Sequence, residues 1–187
     1  MIRRPSTSTL VAIGLIVFGA VLRVARDAGW IPLPPNVAPI SAMALLSGIA
    51  LPRRLTFVVP LAAMLASDLV IGFYSLPVMV AVYAAFAVTN IIGLRLRHRV
   101  GAGRVIGASL ISSTIFFLVT NAAVWQWQHM YPHTLIGLGQ SYLAGLPFFR
   151  NTVLGDLVFT GLLVGSYRAI VVYLRERQPL ATTSING

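Results

Sequence analysis

The side chains able to do chemistry in this chain are few. Two carboxylates, Asp68 and Asp156, sit within long apolar stretches, and only Asp27 and Glu176 join them. Carboxylates this scattered make no persuasive acid/base pair. Cysteine is absent, which excludes disulfides, thiolate metal sites and thiol nucleophiles. His129 and His133 have the i, i+4 spacing that sets two imidazoles on one helical face for a metal. Pro132 between them would disturb a helix, and no third ligand is near, so they are weak metal candidates. There is no Walker loop, Gly-x-Ser-x-Gly elbow, His-Glu-x-x-His helix or Rossmann fingerprint. These residue types point to binding rather than catalysis; neither enzymatic activity nor a cofactor is expected.

Composition identifies the elements that must position them. Of 187 residues, 57% are apolar and only 10% charged, with mean hydropathy +0.85. A water-facing surface needs about 25% charged residues, so this is an integral membrane protein that lies in a lipid bilayer. The length suits one domain. All 14 basic residues are Arg, and the formal charge is +10. The arginines cluster between apolar runs, where they write topology rather than a nucleic-acid footprint.

A spanning helix needs about 20 mostly apolar residues. Six segments qualify, at about 7–25, 37–51, 55–73, 76–94, 105–125 and 152–174. The first follows Arg3 and Arg4 like a signal peptide, but Arg23, Arg26 and Asp27 spoil a cleavage site, so an uncleaved helix is expected. The second is the shortest, and reads as tilted, re-entrant or buried by its neighbours. Counting arginines by loop places Arg3, Arg4, Arg53, Arg54, Arg95, Arg97, Arg99, Arg104, Arg175 and Arg177 on one side. Arg23, Arg26 and Arg150 fall on the other. The positive-inside rule then predicts both termini in the cytoplasm, for a multi-pass protein of the bacterial inner membrane. The expected organisation is one transmembrane domain over 1–177, followed by a polar tail over 178–187.

With that topology, Asn36, Asp68, Tyr74, Asn121, Arg150, Asn151 and Asp156 converge on the outer side. Intramembrane polar groups are costly and usually functional, so a pocket open to the outside is the expectation. The stretch 126–150 carries Tyr131, Phe148 and Phe149, follows Trp125, and contains Gly137, Gly139, Gly145 and Pro147. It reads as a loop too long for a mere connector, hence a ligand-facing lid. Each signal also has a plainer explanation. The aromatics suit an interfacial belt. Asp68 suits a structural ion pair with Arg23 or Arg150. Asp156 suits a helix N-terminus, and Thr120, Asn121 and Asn90 suit interhelical hydrogen bonding.

The stretch from Trp30 to Gly72 carries a resemblance. A Pro-rich loop, Ile31-Pro-Leu-Pro-Pro-Asn-Val-Ala-Pro39, leads into a small-residue helix and a basic turn. A further helix then ends in Ser67-Asp-Leu-Val-Ile-Gly72. With Thr120-Asn-Ala-Ala-Val-Trp125, the Tyr131 region and Gly145-Leu-Pro-Phe-Phe-Arg-Asn151, it resembles a small bacterial membrane family. That family is similar to the S components of energy-coupling-factor (ECF) vitamin transporters. The resemblance implies six helices with both termini inside and an outward pocket capped by the first, third and fifth loops. It also implies a possible energising module of a transmembrane partner and two ATPases. The chain departs from the pattern in its first helix, where Ala12, Ile16 and Ala20 share a face in place of a clean Ala-xxx-Ala signature.

The leading expectation is a membrane uptake protein that binds a small vitamin, cofactor precursor or related metabolite on its outer face. One alternative is a cobalamin transporter of the solitary BtuM-like type, without the cysteine those proteins use to meet the corrinoid cobalt. Another is a non-transporting scaffold or assembly factor that holds a partner through its arginine-rich turns.

Overall fold

The computed structural model describes residues 6–176. Arg3, Arg4, Arg177, the side chain of Arg175 and the tail 178–187 lie outside the described residues. Among the described residues seven helices follow one another: α1 (Thr7–Asp27), α2 (Ile40–Ala50), α3 (Arg53–Thr56), α4 (Val58–Ile71), α5 (Leu76–Leu96), α6 (Ala102–Trp127) and α7 (Leu135–Glu176). There is no strand among the described residues. The single turn α3 runs on into α4. That combined helix, with α1, α5, α6 and α7, makes five helices long and apolar enough to cross a membrane. The chain has the all-helical build of a multi-pass membrane protein.

The segment expected over 37–51 is shorter than a span. At 11 residues, α2 is about 17 Å long, little more than half the roughly 30 Å hydrocarbon core. Every residue of it but Ala50 is buried. Surrounded by protein rather than lipid, such a helix has no need of full spanning length. Arg97 closes its C-terminal end: Nη2 donates to Gly48 O at 2.8 Å and also to Leu51 O, while Nε donates to Gly48 O at 3.1 Å. A guanidinium there satisfies carbonyls that the helix leaves free and complements its dipole. An arginine that the sequence assigns to topology is therefore also a helix cap.

Close backbone approach joins α2 to α5. A Cβ on Gly48 would lie 2.6 Å from Asn90 O, and one on Gly93 would lie 2.5 Å from Leu45 O. Only glycine fits at either position, as where membrane helices cross tightly. Beside that crossing, the buried Ser47 hydroxyl lies 3.0 Å from Asn90 Oδ1, and Asn90 Nδ2 donates to Phe86 O at 3.1 Å. Asn90 is the interhelical hydrogen-bonding residue it was expected to be.

The stretch 126–150 corrects an expectation. It is non-helical only from Gln128 to Thr134; from Leu135 onward it is one helix with the last span. The residues that suggested a loop are tolerated because α6 supports them. Ser141 Oγ donates to Asn121 O at 3.0 Å, and Tyr142 Oη donates to Leu118 O at 3.2 Å. Gly145 packs directly on the Asn121 side chain. Pro147 removes one helical hydrogen bond, a loss that neighbouring helices often make good in membrane proteins. At 42 residues, α7 is about 63 Å long, roughly twice the hydrocarbon thickness. Its first part therefore extends well beyond what a single span requires.

Candidate functional site

Residues of the loops 28–39, 72–75 and 128–134 border two adjoining cavities. Arg53, Arg54, Arg95, Arg97, Arg99 and Arg104 gather at the opposite ends of α2 and α5, around the α2–α3 and α5–α6 turns. The larger cavity is about 340 Å³. One wall is the face of α6 that repeats at helical spacing, Phe116, Phe117, Thr120, Asn121 and Val124, continued by Gln128 just past its end. The opposite wall is the matching face of α7, formed by Ser141, Ala144, Gly145, Phe148, Phe149 and Thr152, with Tyr131 and Met130 from the loop above. Phe117 packs at a tilt against Phe149 with ring centroids 4.6 Å apart and against Tyr142 at 5.5 Å, contacts that join α6 to α7. The smaller cavity is about 200 Å³, and Asn36, Phe116 and Thr152 border both. Arg23, Arg26, Ser41, Tyr74 and Asp156 supply its polar lining. Asn36 reaches both cavities from a left-handed turn (φ +64°), a conformation Asn tolerates better than most residues.

Most of the expected site residues border these cavities. Asn36, Asn121, Tyr131, Phe148 and Phe149 line the larger one, and Asn36, Tyr74 and Asp156 the smaller. Asn121 is held by a 2.8 Å bond from Nδ2 to Phe117 O. Burial, then the nearby Asp68 carboxylate, pushes the Tyr74 phenol up to about 12 against the pull of Arg23. Tyr74 thus offers the cavity a neutral hydroxyl.

Four expected residues stand off the walls. Asp68, 1% exposed, is engaged by an ion pair with Arg23 (Nη1 to Oδ1, 2.9 Å) and by the Tyr83 hydroxyl at 2.9 Å. Of its two candidate partners, Arg23 is the one it meets. Arg150 is exposed, because on α7 it lies roughly opposite the face that carries Phe148 and Thr152. Asn151 falls just beyond the rim of that face. Trp125 braces the neighbouring loop: Nε1 donates to Pro132 O at 3.0 Å, and its ring meets His133 edge-on. His129 and His133 stack with ring centroids 6.5 Å apart, and no group of three His, Cys, Asp or Glu suited to a metal occurs among the described residues.

Sequence reasoning missed Phe116, Phe117, Ser41 and Thr152. The first two lie in an unbroken apolar run that singles out neither of them; their i, i+4 relation to Thr120 and Asn121 was the available signal. The hydroxyls were silent because small polar residues are common throughout this chain. Ser113 holds the Asp156 carboxylate, its Oγ donating to Oδ2 at 2.7 Å, and Ser41 lines the smaller cavity beside it.

No curated protein and no solved structure matches the chain. Residues 3–179 match a family described as "Family of unknown function (DUF6580)", and with nearly its whole length covered the chain belongs to that family.

Proposed function

We propose that this is a membrane uptake protein that binds a small vitamin, cofactor precursor or related metabolite in the paired cavities. The observation that carries the reading is the larger cavity itself. Phenylalanines from α6 and α7 line about 340 Å³, together with the polar groups of Asn36, Thr120, Asn121, Ser141 and Thr152. Apolar walls with sparse, well-placed polar groups are what small-molecule sites share. In this reading α2 is the sixth helix of an S-component-like bundle, and the cavities face outward from a bacterial cytoplasmic membrane. Both termini are cytoplasmic, and the arginine-rich end is where an energising module would dock. The arginine distribution between the two ends supports that orientation.

The absence of native cysteine makes the orientation directly testable. A single cysteine replacing His133 is expected to react with a membrane-impermeant maleimide in intact cells. One replacing Gly101 is expected to react only after permeabilisation. The reverse pattern would invert the topology and turn the cavities inward.

Binding is tested by thermal shift on the detergent-purified protein, with cobalamin, cobinamide, thiamin, riboflavin, biotin and queuosine precursors. A ligand at about 100 times its Kd should stabilise the fold by about 2.7 kcal/mol. Asn121→Ala is expected to remove the shift for the ligand that binds, while the variant still inserts and purifies. A flat response from folded wild-type protein across the panel would count against the uptake reading.

A further inference from the structure

The two buried carboxylates have opposite surroundings. Asp68 is neutralised by Arg23, the only ion pair among the described residues. Asp156, 3% exposed, has a hydrogen bond from Ser113 but no basic side chain within bridging distance. Hydroxyl groups donate hydrogen bonds without supplying charge. Ser41 stands in the first turn of α2, so the positive end of that helix offers partial compensation. The remaining side of Asp156 faces the smaller cavity. Other ionisable groups facing that space are Arg23, engaged by Asp68, the neutral Tyr74, and Arg26, which lines it from the last turn of α1 without pairing to Asp156. A carboxylate this deep is costly to hold charged without a cation, and a cationic group entering the cavity would supply that missing charge.

We propose that the ligand carries a protonated amine or other cationic group that docks on Asp156 in the smaller cavity, with its flat apolar part against Phe116, Phe117 and Phe149 in the larger. Phe116 and Thr152 border both spaces, so one molecule can occupy them together. A cation beside aromatic faces is favoured further by their negative π-surfaces. This inference rests on the uptake reading and narrows its substrate class.

The test measures equilibrium binding of probes matched in shape and different in charge. Pyridoxamine, with an ammonium arm, is paired with pyridoxine, its hydroxyl counterpart; thiamin, a permanent cation, is set against neutral riboflavin and anionic biotin. The expected result is that wild-type protein prefers the cationic member by about 100-fold or more, and that Asp156→Asn abolishes the preference. If Asp156→Asn does not fold, discrimination within the matched pair on wild-type protein decides alone. Neutral or anionic probes bound as well as cationic ones, or a cation bound equally by Asp156→Asn, would overturn the inference and leave the uptake reading standing. No binding by any probe to folded protein would overturn both.

Discussion

Replacing Asp68 by Ala is expected to destabilise the folded protein by about 3–5 kcal/mol, the usual cost of leaving one member of a buried ion pair alone. The Arg23 side chain is 18% exposed and the Asp68 side chain 1%, so water screens the pair poorly. In the variant Arg23 Nη1 keeps Ser67 Oγ (2.5 Å) and Met64 O (3.3 Å) but loses its counter-charge. Tyr83 loses its acceptor at the same time. The double replacement Arg23→Met, Asp68→Leu should recover most of the loss, because it removes both charges and retains volume. Unfolding in detergent, followed by midpoint, checks both statements. A single variant as stable as wild type would mean that the pair does not lock α1 to α4. Ligand binding should survive the loss of Asp68 wherever the fold does, since Asp68 lines neither cavity.

Gly93→Val should cost at least about 3 kcal/mol, at the upper end of what overpacking does. A Cβ at Gly93 lies 2.5 Å from the Leu45 carbonyl oxygen and 3.1 Å from Gly48 Cα, so backbone rather than a flexible side chain is in the way. The helices must separate. That movement would strain the Ser47–Asn90 contact and the Arg97 cap on α2 together. Gly107 provides the control, because nothing lies within 4 Å of a Cβ built there. Gly107→Ala should be neutral or stabilising by up to about 1 kcal/mol through helix propensity. Equal effects at the two positions would contradict the close crossing of α2 and α5.

The long spans were legible because a run of apolar residues bounded by arginine leaves few alternatives. Helix α2 was legible only as an anomaly: its 11 residues are explained by burial among other helices, a tertiary fact that local composition does not record. The stretch 135–150 misled for the converse reason. Gly137, Gly145 and Pro147 signal a loop in water, yet here all three lie within α7, and the two glycines let it pack against the 128–134 loop and α6. In the site, rare residue types such as Asn36, Asn121 and Asp156 announced themselves. The partner of Asp68 was open between two arginines, and pairing across 45 positions of sequence needed the fold to decide it. Phe116 and Phe117 stayed hidden because, in a membrane protein, an apolar side chain facing a cavity and one facing lipid look alike.

The most direct test of the cavity as a ligand site is to fill it. Gly145 sits on the cavity wall, and a Cβ there lies 2.5 Å from Asn121 Oδ1, the movable end of a side chain. Gly145→Leu should therefore occupy the space while α7 remains helical, as leucine favours helix more than glycine does. The measurement is equilibrium binding of the ligand found by thermal shift, to wild type and to Gly145→Leu side by side. Loss of binding by about 100-fold or more, in a variant that remains folded, is the predicted result. Unchanged affinity in that folded variant would place the ligand elsewhere and contradict the assignment of the aromatic cavity.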